Sequence, residues 1–104
     1  TSGCTGWAPN EASLRVADNL YGPWKLEGNP LKGKDSHISF YGQPTYVLPL
    51  PIKKDGQPLF MYMGDRWNPK NLKDSRYQFL PITLNTSGQT GIEINWQDSW
   101  QWDK

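Results

Sequence analysis

Hydrophobic and polar positions alternate with a period of two in several short runs, separated by clusters of Gly, Pro, Asn, Asp and Ser. Between Pro58 and Leu84 two such runs flank a polar loop. Leu59, Met61 and Met63 interleave with Phe60 and Tyr62, and Tyr77 and Phe79 interleave with Gln78 and Leu80. A period of two in aromatic company predicts strands. Tyr46-Val47-Leu48-Pro49-Leu50 predicts a strand ahead of them, joined through Lys54-Asp55-Gly56, where Asp-Gly is a hairpin signal. Ile92-Glu93-Ile94-Asn95-Trp96 alternates as a last strand after a turn at Asn85-Thr86-Ser87-Gly88. Strands are therefore expected near 46–52, 58–64, 75–84 and 91–96. Upstream, Ser13–Asp18 and Trp24–Glu27 predict two short strands about a turn at Asn19–Pro23, and Gly28 to Ser39 reads as a linker without periodicity. No segment carries a helical period.

Four consecutive strands from Tyr46 to Trp96 make an up-and-down meander. Such a unit is one blade of a β-propeller, and it equally suits a small barrel or sandwich. Periodicity leaves these open. The residues before the linker read as the last strands of a preceding blade.

Composition narrows the function classes. The 104 residues suit one domain, and 10 Gly, 9 Pro, six Trp, five Tyr and three Phe fit short strands and many turns. The formal net charge is +1 and the cations are scattered, so no basic stripe offers itself to a phosphate backbone and nucleic acid is not an expected partner. No apolar run reaches membrane-spanning length and no signal peptide is evident, so no membrane partner is expected. Cys4 stands alone, which excludes an internal disulfide and a Cys-rich zinc site. It is expected as a buried or half-buried small side chain.

The loop after the Leu59 strand opens with Gly64-Asp65-Arg66-Trp67. A planar cation beside an acid and an indole suits a polar, ring-shaped ligand, and long loops on a sheet scaffold often carry function. The competing reading is an Asp65–Arg66 ion pair and a Trp67 that pack the loop.

Several motifs occur in order: Thr5-Gly6-Trp7-x-Pro9-Asn10, Ala17-Asp18-x-x-x-Gly22-Pro23-Trp24, Gln43-Pro44-Thr45-Tyr46-Val47-Leu48-Pro49, Gly64-Asp65-Arg66-Trp67-Asn68-Pro69 and Asp74-Ser75-Arg76-Tyr77. Together they span nearly the whole chain, and the sequence resembles the C-terminal part of a glycoside hydrolase family 43 catalytic domain, nearest the exo-β-1,3-galactanase-like branch. The resemblance implies an all-β fold, a fragment of a five-bladed β-propeller. Residues 1–30 would end the penultimate blade, 31–42 would link blades, and 43–104 would form the last blade and a tail. It also implies an inverting hydrolase acting on β-1,3-galactan or related side chains, secreted or periplasmic, with a polysaccharide or oligosaccharide substrate. No cofactor is expected; the resemblance leaves room for a structural calcium ion that nothing in the sequence indicates, and no metal ligands are assigned. The general acid of the family, a Glu, would precede residue 1. The fragment alone would then be inactive, packed against the remainder of the propeller or a copy of itself.

Within a propeller, the start of a blade's first strand and the end of its second lie on one rim. Gln43 should therefore sit near Gly64–Trp67, and Gly3–Trp7 should reach the same rim. By resemblance Gln43 takes the place of the usual carboxylate base, with Gly42 where the family often has Ser. A neutral amide is a poor base, so this role requires an imidic-acid tautomer or water positioning; the plainer alternative is hydrogen bonding to sugar hydroxyls. Thr5, Gly6 and Trp7 are candidate sugar-subsite residues, with inter-blade packing the alternative for Trp7. Asp65, Arg66 and Trp67 complete the candidate substrate-binding set. Asp74 and Arg76 are expected to pair within their loop. Glu11, Glu27 and Glu93 read as solvated, and His37 as solvent-facing or packed in a loop, with a weak ion-site reading open. Asn85-Thr86-Ser87 fits a glycosylation acceptor pattern. Two readings compete with a hydrolase fragment: a non-catalytic carbohydrate-binding β module, and a structural β domain, which would need its rim aromatics buried.

Overall fold

A computed structural model describes residues 3–84 and 91–102. The described residues are all-β, with short 3-10 turns and no α-helix. Strands β1 (Leu14–Val16) and β2 (Lys25–Gly28) form an antiparallel pair. Strands β3 (Leu31–Lys32), β4 (Gln43–Lys54), β5 (Gln57–Arg66), β6 (Arg76–Leu84) and β7 (Ile92–Asn95) form one sheet in the order β3-β7-β6-β5-β4. The last four are the antiparallel meander read from the alternation, and β3 adds to its far edge in parallel. Asp55 and Gly56 make the β4–β5 turn, with φ of 51° and 77° and Lys54 opposite Gln57. Two left-handed residues in a two-residue loop are the type I′ geometry that Asp-Gly favours.

Register decides which side chains form the core. Tyr62 lies opposite Leu80 and Phe60 opposite Ile82. This face packs with Ile94 against Ala12, Leu31 and Phe40, all buried. The next positions on each strand face the other way. There Tyr46, Met63 and Phe79 form one row across β4, β5 and β6, and Tyr46 and Phe79 remain 59% and 44% exposed. Half of the apolar alternation thus builds the core, and half leaves an apolar sheet face open to solvent.

The segment read as a featureless linker differs from that expectation. It holds β3 and a 3-10 segment from Ser36 to Tyr41, and it delivers Leu31, Ser39 and Phe40 to the core. Two-residue strands and single 3-10 turns are too short to show a period. Ser39, Phe40 and Tyr41 have φ of 51°, 55° and 63°, three consecutive non-glycine residues in the left-handed region. Each costs about 1–2 kcal/mol, so tertiary contacts must hold the turn. Ser39 Oγ donates to the Asn10 carbonyl at 2.6 Å, Phe40 lies 5.5 Å from Trp96 between ring centroids, and Gln78 Nε2 donates to the Ser39 and Phe40 carbonyls at 3.3 Å each.

Three further expectations are corrected, at Cys4, Glu27 and Glu93. Cys4 is exposed rather than buried, because residues 3–10 run as a surface loop closed by Asn10, whose amide bonds both the carbonyl and the N–H of Gly3. Glu27 is not solvated: it pairs with Lys25 at 2.9 Å and its side chain is 10% exposed. Glu93 is half-buried, Glu11 and His37 are exposed, and Asp74 pairs with Arg76 as expected. The turn at Asn85–Gly88 and its glycosylation pattern lie outside the described residues. No helix among the described residues is long and apolar enough to cross a membrane.

Candidate active site

Gln43, Asp65 and Tyr77 stand side by side across β4, β5 and β6 at one end of the sheet. Directly opposed residues on one face bring their Cβ atoms to about 5 Å, so an amide, a carboxylate and a phenol share one edge. The polarity argument predicted this neighbourhood for Gln43 and Asp65, and the register pairs them directly. The N-terminal loop closes over it. Gln43 Nε2 donates to the Gly6 carbonyl at 3.3 Å, and Trp7 meets Trp67 with ring centroids 5.6 Å apart at 59°. Gly6 has φ of 61°, a turn that glycine adopts without strain.

Between these groups lies a cavity of about 370 Å³, whose walls include Trp7, Tyr41, Gln43, Asp65, Trp67 and Tyr77. Its volume suits one or two sugar rings, and pockets of this size with a few placed polar groups are common ligand sites. Trp7 is 75% exposed and Tyr77 72%, so the aromatic rim is not consumed by packing. Among the residues lining the cavity, Asp65 alone carries a carboxyl group.

Three sequence-predicted residues fall outside the cavity lining: Gly6, which meets the site only through its carbonyl on Gln43, Arg66 and Thr5. Arg66 does not line the cavity: β5 runs on through Arg66, so the loop starts later than expected, and consecutive strand residues face opposite sides. Its guanidinium lies 5.3 Å from the Trp96 ring centroid and 5.8 Å from that of Tyr41, a cation–π arrangement across the sheet from Asp65. The same pleat rules out the Asp65–Arg66 ion pair. Thr5 does not line the cavity either. Its hydroxyl donates to the Ala8 carbonyl at 2.7 Å and accepts from the Asn10 amide, holding the loop that carries Gly6 and Trp7.

Sequence reasoning noted Gly42 only by resemblance and missed Tyr41, Tyr62, Tyr77 and Gln78. A Cβ at Gly42 would stand 1.9 Å from Gln78 Nε2 and 2.4 Å from the Asp65 carbonyl oxygen, so a side chain at this position has no room. Gln78 is 2% exposed and buried among apolar neighbours, and an alternating pattern assigns such a polar residue to solvent by default. Tyr62 beneath the site is pushed up to about 12 by burial and, secondarily, by the Asp65 carboxylate. The Tyr62 hydroxyl and Gln78 Oε1 are buried without a hydrogen-bond partner among the described residues. No cluster of three or more His, Cys, Asp or Glu among those residues is arranged to hold a metal ion.

No family model and no curated protein matches the chain. Solved structures do match. A GH43 β-1,3-galactosidase with galactodeoxynojirimycin is 46% identical over 98% of this chain, with a TM-score of 0.84. A second GH43 β-1,3-galactosidase is 31% identical over 95%, with a TM-score of 0.81. An exo-β-1,3-galactanase from Phanerochaete chrysosporium, solved with β-1,3-galactotriose, is 33% identical over 89%, with a TM-score of 0.66. The chain spans 28%, 20% and 19% of the lengths of these three proteins. Each match extends over almost the whole of this chain. The chain belongs to glycoside hydrolase family 43, on its β-1,3-galactosidase and exo-β-1,3-galactanase branch.

Proposed function

We propose that this chain is part of an inverting glycoside hydrolase that removes β-1,3-linked galactose from a polysaccharide or its side chains, with Gln43 in the place of the general base. The observation that carries the reading is the cavity where Gln43, Asp65, Trp7 and Trp67 meet. Trp7, Trp67 and Tyr77 offer flat apolar faces, Asp65 accepts hydrogen bonds from hydroxyls, and the Gln43 amide faces the same space. With Nε2 donating to Gly6, Gln43 keeps Oε1 as its acceptor. A neutral amide oxygen orients a water more readily than it takes its proton, so Gln43 acts by aiming the attacking water. Arg66 serves the site through Tyr41 and Trp96, and Thr5 through its loop.

Inversion requires an acid across the sugar from the water, with about 6.5–9.5 Å between the two groups. Asp65 neighbours Gln43 on the adjacent strand, so it stands on the wrong side for that role, and the acid belongs to another part of the longer polypeptide. The architecture that unites them is a five-bladed β-propeller: residues 1–30 end one blade, 31–42 cross to the next and lend it β3, and 43–104 make the rest of the last blade and a tail. Secretion to the cell exterior or periplasm fits a polymeric substrate. The exposed rim aromatics speak against a purely structural domain, and a binding module without catalysis is separated from a hydrolase by one experiment. Proton NMR of the full-length protein acting on β-1,3-galactotriose should show α-galactose as the first product. Initial release of β-galactose would replace inversion with retention, and binding without turnover would leave a carbohydrate-binding module.

A further inference from the structure

We propose that Gln78 is a positioning residue for Gln43, a role that rests on the reading of Gln43 given above. Gln78 sits in β6, opposite Gly64, and its side chain crosses the buried face of the sheet to the turn immediately before β4. There Nε2 donates to two successive carbonyls, those of Ser39 and Phe40. The Ser39 carbonyl also accepts the Gly42 N–H at 3.0 Å. These contacts fall on the three left-handed residues that lead, through Gly42, straight into Gln43. A strained turn beside a site persists only where its surroundings over-determine it. Among the groups that hold this turn, the Gln78 amide is the one that joins it to the strand beside the site, through two carbonyls that no strand ladder reaches.

Gly42 is the counterpart of this device. Its backbone is extended, with φ of −133°, so conformation does not demand glycine. Space does: the Gln78 amide occupies the volume a side chain at 42 would take. Gln78 and Gly42 therefore form a matched pair, the amide filling the gap and fixing the direction in which β4 starts. Where β4 starts sets where the Gln43 amide lies relative to Gly6 and Asp65.

The test is Gln78→Met in the full-length enzyme, which keeps the volume and removes both donors. A crystal structure of the variant should show the Ser39–Tyr41 turn relaxed and the Gln43 amide displaced from the Gly6 carbonyl. A misplacement of about 1 Å costs on the order of 100-fold, so kcat on β-1,3-galactotriose should fall roughly 10- to 100-fold while KM changes less than threefold. In a Gln43→Ala background the same substitution should cost nothing further. An equal loss with and without Gln43, or a Gln43 amide left in place, overturns the positioning role. A displaced Gln43 with unchanged kcat keeps the positioning role and removes Gln43 from the reaction, so the two readings fail separately. Should Gln78→Met not fold, Gln78→Leu asks the same question, since it too fills the space and lacks both donors.

Discussion

Trp7 and Trp67 meet at 5.6 Å between ring centroids, although one lies in the N-terminal loop and the other just beyond the end of β5. Their tilted contact is the bridge between the two segments that wall the Gln43 cavity. Tilted aromatic pairs contribute about 0.5–1.5 kcal/mol beyond their buried area.

Replacing Trp7 by Ala should weaken sugar binding about 2- to 12-fold, because it removes a flat ring face from the cavity wall and one ring-stacking contact is worth about 0.5–1.5 kcal/mol. Fold stability should fall little, since Trp7 is 75% exposed. Titration of the full-length protein with galactodeoxynojirimycin reads the first effect and thermal unfolding the second. Unchanged binding with a lowered Tm would make the pair an inter-segment clasp and nothing more.

Tyr62 gives a pH signature. Its folded pKa of about 12 lies above the ordinary value of 10, so the folded state holds the proton more tightly than the unfolded chain. This contribution is fully present below pH 10 and is lost as pH rises from about 10 to about 12, by about 3 kcal/mol at most. Tyr62→Phe removes it. Because the hydroxyl has no partner among the described residues, the substitution should be neutral or stabilising at pH 8. Denaturant midpoints of the two proteins should diverge above pH 10 in favour of Phe. Parallel curves would show that Tyr62 ionises freely in the native state.

The β4–β5 turn offers a backbone test. Gly56 adopts φ of 77° with no atom within 4 Å of a built Cβ, so Gly56→Val meets strain but no clash. Its expected cost is about 1–3 kcal/mol, the range for a non-glycine residue in a disfavoured region. Asp55→Asn keeps a residue that tolerates the left-handed region and should be silent. Equilibrium unfolding of both variants checks the type I′ assignment, which an undisturbed Gly56→Val would contradict.

The open face of the sheet sets the behaviour of the 104 residues taken alone. Tyr46, Met63 and Phe79 form an apolar row of which Tyr46 and Phe79 stay 59% and 44% exposed. Burying it is worth about 25 cal/mol per Å², so the isolated chain should associate or aggregate and show no glycosidase activity. Sedimentation of a cooperatively folding 11.9 kDa monomer would contradict this.

The contrast between Gln43 and Gln78 shows what the sequence could express. Alternation and an Asp-Gly turn were enough to lay out β4 to β7, and strand polarity alone put Gln43 beside Asp65. What alternation does not carry is the choice of face. Phe60 and Tyr62 entered the core while Met61 and Met63 faced out, although both sets are apolar. The same ambiguity misdirected Arg66, which the pleat sends to the side opposite Asp65. β3 and the left-handed turn were invisible because their order comes from distant partners: Ile94 beside Leu31, and the Gln78 amide beneath Ser39. Cys4 and Glu27 were misjudged by residue type, since exposure of the one and burial of the other follow from how the chain is routed around them.

The central claim is that Gln43 aims the attacking water, and the direct measurement is kcat of the full-length Gln43→Ala enzyme on β-1,3-galactotriose. A positioned group in proton transfer contributes about 100- to 10,000-fold. The variant should therefore lose at least about 100-fold in kcat, with KM shifted far less and Tm preserved, because Gln43 makes one long hydrogen bond at an exposed edge. Turnover within a few-fold of wild type would contradict the account, leaving Gln43 as a tether for Gly6 and returning the base to a residue of another segment.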